Sequence, residues 1–316
     1  MTLRAKGTRL LSVGHFQPDR VVPNSHFEKT VDASDDWIRQ RIGVVTRRLA
    51  GPDESVVDMA VKAGASCLAE SGLEADEIDL VVVATCFSVH RLPNVASQVS
   101  ARLDLRHPAA IDVNTACSGY VHALALAQHS VLAGASRRAL VIGAEKASDF
   151  MDWNDRTTCV IFGDGAGAAI VTACDRPEMG PVVWGGDAEK GSAIRIDLTT
   201  DKFTQDGQSV FRWATSALAP VALEACTRAG VDPTALTAFV PHQANVRIID
   251  AIARKIGATR AVIARDVAES GNTSAASIPI ALSKLKHSGQ IRGGDLVLLL
   301  GFGGGLSYAA QVVACP

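Results

Sequence analysis

The sequence predicts an α/β fold that is built from two related halves. Short runs of Val, Ile and Leu alternate along the chain with longer stretches rich in Ala and Leu, which is the pattern of strands followed by helices. The apolar runs lie at 79–85, 109–113, 139–143, 159–171, 236–240, 261–264, 295–300 and 308–314. With 316 residues the chain is longer than one hydrophobic core usually supports. We therefore expect two domains or one fold of two similar halves.

Three helices have clear end signals. Glycine directly follows each of the stretches 55–71, 118–133 and 209–229, and glycine just past the last turn is the usual helix terminator. The least regular part of the chain, 175–208, is rich in glycine and charge and is interpreted as a long connection. We therefore expect one half over 1–174 and a second, including this connection, over 175–316.

One local pattern occurs in both halves. The run 109–113 leads through small residues to Cys117 and an apolar helix, and 262–267 leads in the same way to Asn272 and an apolar helix. A buried strand that ends in a polar loop lies upstream of each. This matched order predicts a duplicated strand–turn–helix core.

Two glycine-rich segments, 163–167 and 301–305, each lie between apolar runs and are predicted to be turns. The first has some likeness to a dinucleotide-binding loop, but it enters a β-branched run and lacks the third glycine at the required spacing. We expect instead a turn at which two backbones pass closely. The second interrupts the uncharged segment 296–314, which is long enough to span a bilayer. Two buried strands are the favoured interpretation of that segment.

Composition excludes several functional classes. Apolar residues make up 47% of the chain and charged residues 20%, which excludes a mostly disordered protein. The net charge of −2 provides no global field to hold nucleic acid or an anionic membrane. Any anionic partner must therefore meet a local basic patch.

Cysteine usage indicates a reducing compartment. The seven cysteines form no CxxC pair and lie in unrelated contexts, so neither a disulfide framework nor a zinc site is predicted. The amino-terminal segment contains only a four-residue apolar stretch, 10–13, which is too short for the core of a signal peptide. We expect a cytoplasmic protein.

Cys117 is the candidate nucleophile. It lies where a strand ends and a helix begins, among small neighbours that let a substrate approach. Unpaired amides and the dipole of a helix N-terminus lower the pKa of a thiol, so a thiolate is expected near neutral pH. The alternative interpretation is a small buried core cysteine.

His242 and Asn272 lie in loops that correspond to loops of the first half. If the halves pack about a pseudo-twofold axis, these two side chains converge with Cys117 at the carboxyl ends of strands, where open α/β sheets bind ligands. The alternatives are a structural histidine and a turn-forming asparagine.

Three motifs and the two glycine segments together resemble one enzyme family. They are Asn-Thr-Ala-Cys-Ser-Gly-Tyr at 114–120, Pro-His-Gln-Ala-Asn-Val-Arg at 241–247, Gly-Asn-Thr-Ser-Ala-Ala-Ser-Ile-Pro at 271–279, and the two glycine segments. Together they resemble β-ketoacyl-acyl carrier protein synthase III over essentially the whole chain. The resemblance implies a thiolase-like fold with two similar halves in a five-layer α/β/α/β/α arrangement, usually a homodimer. It implies no metal or redox cofactor, with a coenzyme A thioester as substrate.

The resemblance also implies roles for the three candidate residues. Cys117 matches the cysteine that takes an acyl group from acyl-coenzyme A. His242 and Asn272 match the pair that binds the malonyl thioester carbonyl and stabilises the enolate formed as carbon dioxide leaves. The backbone amides of Cys117 and Gly304 match the oxyanion hole.

Further residues match substrate contacts of the family. Trp37 lies in a segment that resembles the one stacking the adenine of coenzyme A, with Arg156 on the other face of the base, and Arg41 matches a phosphate partner. The full set assigned to coenzyme A is Trp37, Arg41, Arg156 and Asn245. The basic rim expected to meet an acidic carrier protein consists of Arg212, Arg247, Arg254 and Lys255; a solvated helix face is the alternative.

Substrate choice is linked to Leu92, which matches a position where a partner subunit often inserts an aromatic residue into the acyl pocket. A smaller side chain there is compatible with branched or longer starters. The leading hypothesis is a decarboxylating Claisen condensation of acyl-coenzyme A with malonyl-acyl carrier protein, which starts fatty-acid or polyketide chains. The rivals are plain acyl transfer to a hydroxyl or amine and a non-catalytic partner of another ketosynthase.

Overall fold

The computed structural model describes residues 5–89 and 92–316. The first four residues of the amino-terminal segment and residues 90 and 91, beside Leu92, lie outside the described residues. No helix in the described ranges is long and apolar enough to cross a membrane.

Two five-stranded sheets form the frame of the molecule. The first consists, in spatial order, of β5 (Ala109–Val113), β4 (Leu80–Ala84), β6 (Arg138–Glu145), β7 (Gly165–Cys174) and β1 (Gly7–Phe16). The second consists of β12 (Val262–Ile263), β11 (Ala238–Pro241), β13 (Leu296–Gly303), β14 (Ser307–Ala314) and β8 (Val183–Gly186). In each sheet three parallel strands are followed by two antiparallel ones. The two sheets therefore share one topology, as the duplicated sequence pattern predicts.

Eight helices and two small ladders complete the described elements. The helices are α1 (Asp35–Arg41), α2 (Val56–Ser71), α3 (Val95–Arg102), α4 (Gly119–Ala133), α5 (Gly207–Ala229), α6 (Val246–Ile256), α7 (Val267–Ser270) and α8 (Ser277–His287). The ladders are β2 (Val21–Pro23) with β3 (Thr46–Arg48), and β9 (Ile194–Ile196) with β10 (Phe203–Gln205).

The layers follow from which helices contact which sheet. Helices α2 and α3 pack on the outer face of the first sheet, and α5 packs on the outer face of the second with α6 beside it. Helices α4 and α8 contact strands of both sheets and form the middle layer. Because its Ala- and Leu-rich surface is covered from both sides, α4 is buried along most of its length. The result is the expected α/β/α/β/α arrangement.

The predicted helix ends are confirmed. Helix α2 begins after Ser55, whose hydroxyl accepts from the Asp58 N–H in a capping box. Helices α2, α4 and α5 are capped at their C-termini by Gly72, Gly134 and Gly230, whose backbones adopt the left-handed αL conformation.

The strand predicted over 159–171 is shorter than expected. It begins at Gly165, because 155–161 fold into turns and the Val160 carbonyl is bound by the buried Arg47 guanidinium at 2.6 Å. The first glycine segment therefore opens a strand rather than separating two. The predicted close approach is confirmed, since a side chain at Gly163 would overlap the Ser270 carbonyl.

The uncharged segment 296–314 forms the hairpin of β13 and β14 in the second sheet, as predicted. The connection 175–208 is more regular than expected, since it contributes β8 to the edge of that sheet and the ladder of β9 with β10.

Candidate active site

The two strand–helix junctions have the same local geometry. Ala116 and Ser274 both have positive φ, 48° and 49°. The side-chain oxygen of the asparagine two residues earlier accepts from each of their backbone N–H groups, Asn114 at 3.2 Å and Asn272 at 2.8 Å. Each junction then passes through a 3₁₀ turn into α4 or α8. The duplication therefore extends to single hydrogen bonds, and it places Cys117 and Ser274 at the facing junctions.

Cys117 lies at the first junction with only 8% of its surface exposed. The Ser274 hydroxyl donates to its sulfur at 3.4 Å, and the backbone N–H groups of Gly304 and of Cys117 itself lie near enough to favour the charged form of the thiol. The turn after β13 presses closely on this residue, because a Cβ at Gly303 would lie 2.6 Å from Cys117 Cβ. Any larger residue at 303 would have to displace either this turn or Cys117.

The expectation of a thiolate near neutral pH is wrong for the free protein. Burial raises the pKa of Cys117 to about 11, and the Glu145 carboxylate adds to the rise. The Ser274 hydroxyl and the backbone N–H groups of Gly304 and Cys117 oppose it without cancelling it. Desolvation at this depth outweighs the few dipoles of a helix N-terminus, so the resting residue is a neutral thiol.

His242 follows β11 and is almost fully buried. Its Nδ1 lies 2.8 Å from the Ser277 hydroxyl, and the Phe302 ring packs against it edge-on with 5.1 Å between the ring centroids. The Ser274 carbonyl lies near the imidazole. Burial lowers the pKa of His242 to about 3. The imidazole is therefore neutral at physiological pH.

Asn272 presents one half of its amide to a cavity. Its Oδ1 is occupied by the Ser274 N–H, which fixes the orientation of the amide. The Nδ2 amino group is left to donate to a ligand, and Asn272 lines the large cavity described below.

The structure brings Cys117, His242 and Asn272 together around Ser274. The hydroxyl of Ser274 donates to the sulfur, its carbonyl lies near the imidazole, and its N–H donates to the asparagine side chain. Ser274 was not singled out from the sequence, although the Asn-Thr pairs at 114–115 and 272–273 were a signal that could have aligned it with Ala116.

A cavity of about 580 Å³ leads from the surface to Asn272. It is lined by all four residues assigned to coenzyme A and by two of the basic rim: Trp37, Arg41, Arg156, Asn245, Arg212 and Arg247. Arg156 lies over the Trp37 ring at 5.5 Å and pairs with Asp32 at 2.9 Å. Arg41 also lies over the Trp37 ring, at 5.3 Å, so in the free chain two guanidinium groups contact the side chain that was expected to stack adenine.

Asn245 has a structural task at the same cavity. Its Oδ1 accepts from the Arg247 N–H as the cap of α6, and its Nδ2 donates to the Arg41 carbonyl at 3.0 Å. Asn245 therefore ties α6 to the end of α1 at the cavity mouth.

The basic rim follows α5 and α6. Arg212, Arg247, Arg254 and Lys255 are all exposed, and Lys255 also donates to the Thr215 carbonyl at 2.6 Å. Arg254 and Lys255 do not line the cavity but continue from Arg247 along the same helix.

A second cavity, of about 520 Å³, lies beside the neighbours of Cys117. It is lined by Ala116 and Gly304 and by an apolar wall of Phe87, Ile194, Ile196 and Phe203. Leu92 is 94% exposed and lines neither of these two cavities of its own chain.

Glu145 is a second residue that the sequence did not reveal. It is the last residue of β6, is fully buried, and accepts a hydrogen bond from the Ser274 hydroxyl at 3.0 Å. Its partners lie about sixty or more positions away in the chain and left no local pattern. Among the described residues, no group of three or more His, Cys, Asp or Glu side chains could hold a metal ion.

Comparison with known proteins identifies the family of the chain. The family described as 3-oxoacyl-acyl-carrier-protein synthase III matches residues 111–188, and its C-terminal part matches residues 226–315. A β-ketoacyl-acyl-carrier-protein synthase III of Streptomyces coelicolor is 56% identical over 98% of this chain and 99% of its own. The mycobacterial β-ketoacyl-acyl-carrier-protein synthase III of Mycobacterium marinum is 41% identical over 97% of this chain and 95% of its own.

Solved structures give the same result for the fold. The priming β-ketosynthase of the R1128 polyketide biosynthetic pathway superposes with a TM-score of 0.96 at 38% identity, covering 100% of this chain and 98% of that one. The 3-oxoacyl-acyl-carrier-protein synthase III of Aquifex aeolicus gives 0.93 at 37% identity, covering 98% of this chain and all of that one. The fold is thiolase-like, and the chain belongs to the β-ketoacyl-acyl carrier protein synthase III family.

Proposed function

We propose that this chain condenses an acyl-coenzyme A starter with malonyl-acyl carrier protein through an acyl-cysteine at Cys117. Membership in the family makes it an acyl-transferring condensing enzyme that needs no cofactor beyond its thioester substrates. The observation that carries the detailed proposal is the convergence of Cys117, His242 and Asn272 around Ser274, where Asn272 lines the cavity with an aromatic and cationic mouth.

The first half-reaction is thioester exchange at Cys117. The sulfur attacks the acyl carbonyl, the bond to the coenzyme A sulfur breaks, and the thiol proton of Cys117 passes to the departing sulfur. The backbone N–H groups of Cys117 and Gly304 lie near the Cys117 sulfur and favour its charged form. The same donors are positioned to bind the oxyanion of the tetrahedral intermediate in a site sheltered from water.

The second half-reaction uses His242 and Asn272. Loss of carbon dioxide from the malonyl thioester leaves an enolate, whose oxygen accepts from Asn272 Nδ2 and from the neutral imidazole. Its carbon attacks the acyl carbonyl on Cys117, the carbon–sulfur bond breaks, and the released thiolate takes up a proton. A neutral histidine suits this role, since it can donate to the enolate oxygen and later release it without holding a fixed charge.

Substrate recognition is assigned to the two cavities and the rim. Trp37, Arg41, Arg156 and Asn245 hold coenzyme A at the mouth of the larger cavity, with Arg156 turning aside from Trp37 to admit adenine. The basic side chains on α5 and α6 meet the acidic carrier protein. The apolar wall of the smaller cavity holds the starter acyl group.

Assembly as a homodimer is supported by the exposed edge of the first sheet. Strand β5 pairs with β4 alone, and Ile111 in that strand is 50% exposed. Leu92 and Val89 are 94% and 68% exposed. Unpaired edges and apolar side chains are usually covered, and a partner subunit would bring its own Leu92 toward the acyl pocket. The division of the chain at residue 174 remains a prediction.

A cytoplasmic location is proposed from the cysteines. All seven are free in the described residues, and four besides Cys117 are buried. Buried free thiols without pairing are typical of a reducing compartment.

The proposal is tested by acylation and by carbon dioxide release. Intact-protein mass spectrometry should show one acyl group on the wild type and none on Cys117→Ala after incubation with acyl-coenzyme A. Labelled carbon dioxide should then appear when malonyl-acyl carrier protein is added to the acylated wild type. An undiminished adduct on Cys117→Ala would refute the nucleophile. Acylation followed by transfer to an amine or hydroxyl, with no carbon dioxide, would establish the simple acyltransferase instead.

A further inference from the structure

Glu145 is a buried carboxyl group beside the candidate nucleophile that the mechanism above does not use. It ends β6 with no exposed surface. Backbone N–H groups of Phe87 at 2.8 Å, Cys86 at 3.0 Å and Ala275 at 3.4 Å donate to its oxygens. Burial raises the pKa of Glu145, and the hydrogen bonds from Phe87, Cys86 and Ser274 oppose that rise. Backbone amides can only donate, so these contacts are those of a carboxylate acceptor.

The carboxylate joins the two loops that face Cys117. One oxygen takes the amides of the loop after β4, together with the Thr85 hydroxyl at 3.1 Å. The other takes the Ser274 hydroxyl at 3.0 Å and the Ala275 amide from the second junction. Glu145 thereby fixes the position of Ser274 relative to Cys117.

The Ser274 hydroxyl has one proton and three possible acceptors within reach, of which Cys86 Sγ is the most distant at 3.5 Å. Glu145 Oε1 is 3.0 Å away and Cys117 Sγ is 3.4 Å away. A charged oxygen at the shorter distance binds that proton more strongly than a neutral sulfur does. The Ser274 hydroxyl, which is placed as a donor to Cys117 Sγ, therefore donates to the sulfur less strongly than it would without the carboxylate.

We propose that Glu145 is a positioning residue which, through the Ser274 hydroxyl, keeps Cys117 as a neutral thiol in the free enzyme. The proposal rests on the proposed function only in taking Cys117 as the nucleophile. Removing the carboxylate charge frees the Ser274 proton to donate to the sulfur, which favours the thiolate. Removing the Ser274 hydroxyl takes away that donor and disfavours the thiolate.

The other titratable groups around Cys117 do not replace Glu145 in this role. Cys86, on the loop after β4, has its pKa raised by burial and donates to Glu145 at 3.2 Å. His242, after β11, is neutral because burial lowers its pKa. On α4, His122 is turned toward the Thr115 hydroxyl and the Ser118 carbonyl, and burial also lowers its pKa.

The test is the pH dependence of Cys117 alkylation in the full chain. The rate of alkylation by iodoacetamide is measured over the pH range in which it rises. Peptide mass mapping distinguishes alkylation of Cys117 from alkylation of Cys86. The variants are Glu145→Gln, Ser274→Ala and the double variant. Asp164→Asn is a matched control, because this equally buried carboxyl is bound by Ala50 and Ser148 instead.

The proposal predicts a different shift for each variant. Glu145→Gln should move the Cys117 profile to lower pH by about one unit, about tenfold in rate at fixed pH. Ser274→Ala should slow alkylation about threefold or more at the same pH, and adding Glu145→Gln to it should change the rate less than about threefold. Asp164→Asn should leave the profile unchanged.

Two results would overturn the role of Glu145. The first is a pH profile of Cys117 alkylation that Glu145→Gln leaves unchanged. The second is a Glu145→Gln shift that is equally large in the Ser274→Ala background, because the carboxylate charge would then act on Cys117 directly and not through the Ser274 hydroxyl. If Glu145→Gln does not fold, an unslowed Ser274→Ala overturns the proposal by itself. Acylation of wild-type Cys117 by acyl-coenzyme A is measured in parallel. Its absence refutes the proposed function, whereas unchanged profiles with normal acylation refute only this inference.

Discussion

The close packing of the β13–β14 turn against Cys117 can be tested by adding a single methyl group. In Gly303→Ala the new Cβ would lie 2.6 Å from Cys117 Cβ and 3.0 Å from its sulfur, whereas ordinary contact begins at 3.4 Å. The turn and the cysteine must therefore separate by about 0.8 Å, the difference between 3.4 and 2.6 Å. Overpacking of this kind costs about 1–3 kcal/mol of stability. A displacement near 1 Å at a reacting atom lowers the rate about 100-fold.

The assay combines single-turnover acylation by acyl-coenzyme A with urea unfolding. Gly186→Ala is the matched control, because its nearest neighbour beyond the adjacent residues is 3.5 Å away. It should change the free energy of unfolding by less than about 0.5 kcal/mol and leave acylation intact. A Gly303→Ala protein that acylates and unfolds like the wild type would refute the packing that brings the Gly304 amide to the sulfur.

Three further perturbations separate the parts of the site. Asn272→Ala should keep the acylation rate within about threefold of the wild type but lower the rate of carbon dioxide release at least 100-fold, which corresponds to about 2.7 kcal/mol of lost enolate stabilisation. An equal loss of both rates would contradict the proposed division of roles between Cys117 and Asn272. Trp37→Ala should raise KM for acyl-coenzyme A about tenfold with little change in kcat. Trp153 stacks on Phe27 outside the cavity, so Trp153→Ala is the control and should leave KM unchanged. Identical kinetics for the two variants would remove Trp37 from the nucleotide site. Arg254→Glu should lower kcat/KM for malonyl-acyl carrier protein several-fold at low salt and less at high salt. Arg292→Glu, before the amino end of β13, is its control, and a loss that salt does not reduce would count against an electrostatic rim.

Features carried by local pattern were predictable from the sequence. The glycines at 72, 134 and 230 end helices where predicted, because a left-handed residue is a local requirement. The duplicated junctions were visible as one order of strand, small residues and helix. They account for the meeting of Cys117 with Asn272, since equivalent junctions of packed repeats face each other.

Features set by the surroundings in three dimensions were not predictable. The pKa of Cys117 is raised because both sheets, the 303–304 turn and Glu145 exclude water around it, and nothing near residue 117 in the sequence reports that. In the sequence Glu145 stands at the end of an apolar run, where a solvent-exposed charged residue is common. Only the fold brings residues 86 and 274 into contact with it. The cover of Trp37 by Arg156 likewise depends on an ion pair with Asp32, 124 positions away.

The central claim is that the thiol at 117 carries the acyl group and that the amide at 272 then drives condensation. The most direct measurement is peptide mass mapping after acyl-coenzyme A is added, followed by malonyl-acyl carrier protein. The account predicts a single acylated peptide containing Cys117, which loses its acyl group as carbon dioxide and the 3-oxoacyl product appear. An acyl group found on another residue, or one that malonyl-acyl carrier protein leaves in place, would contradict it.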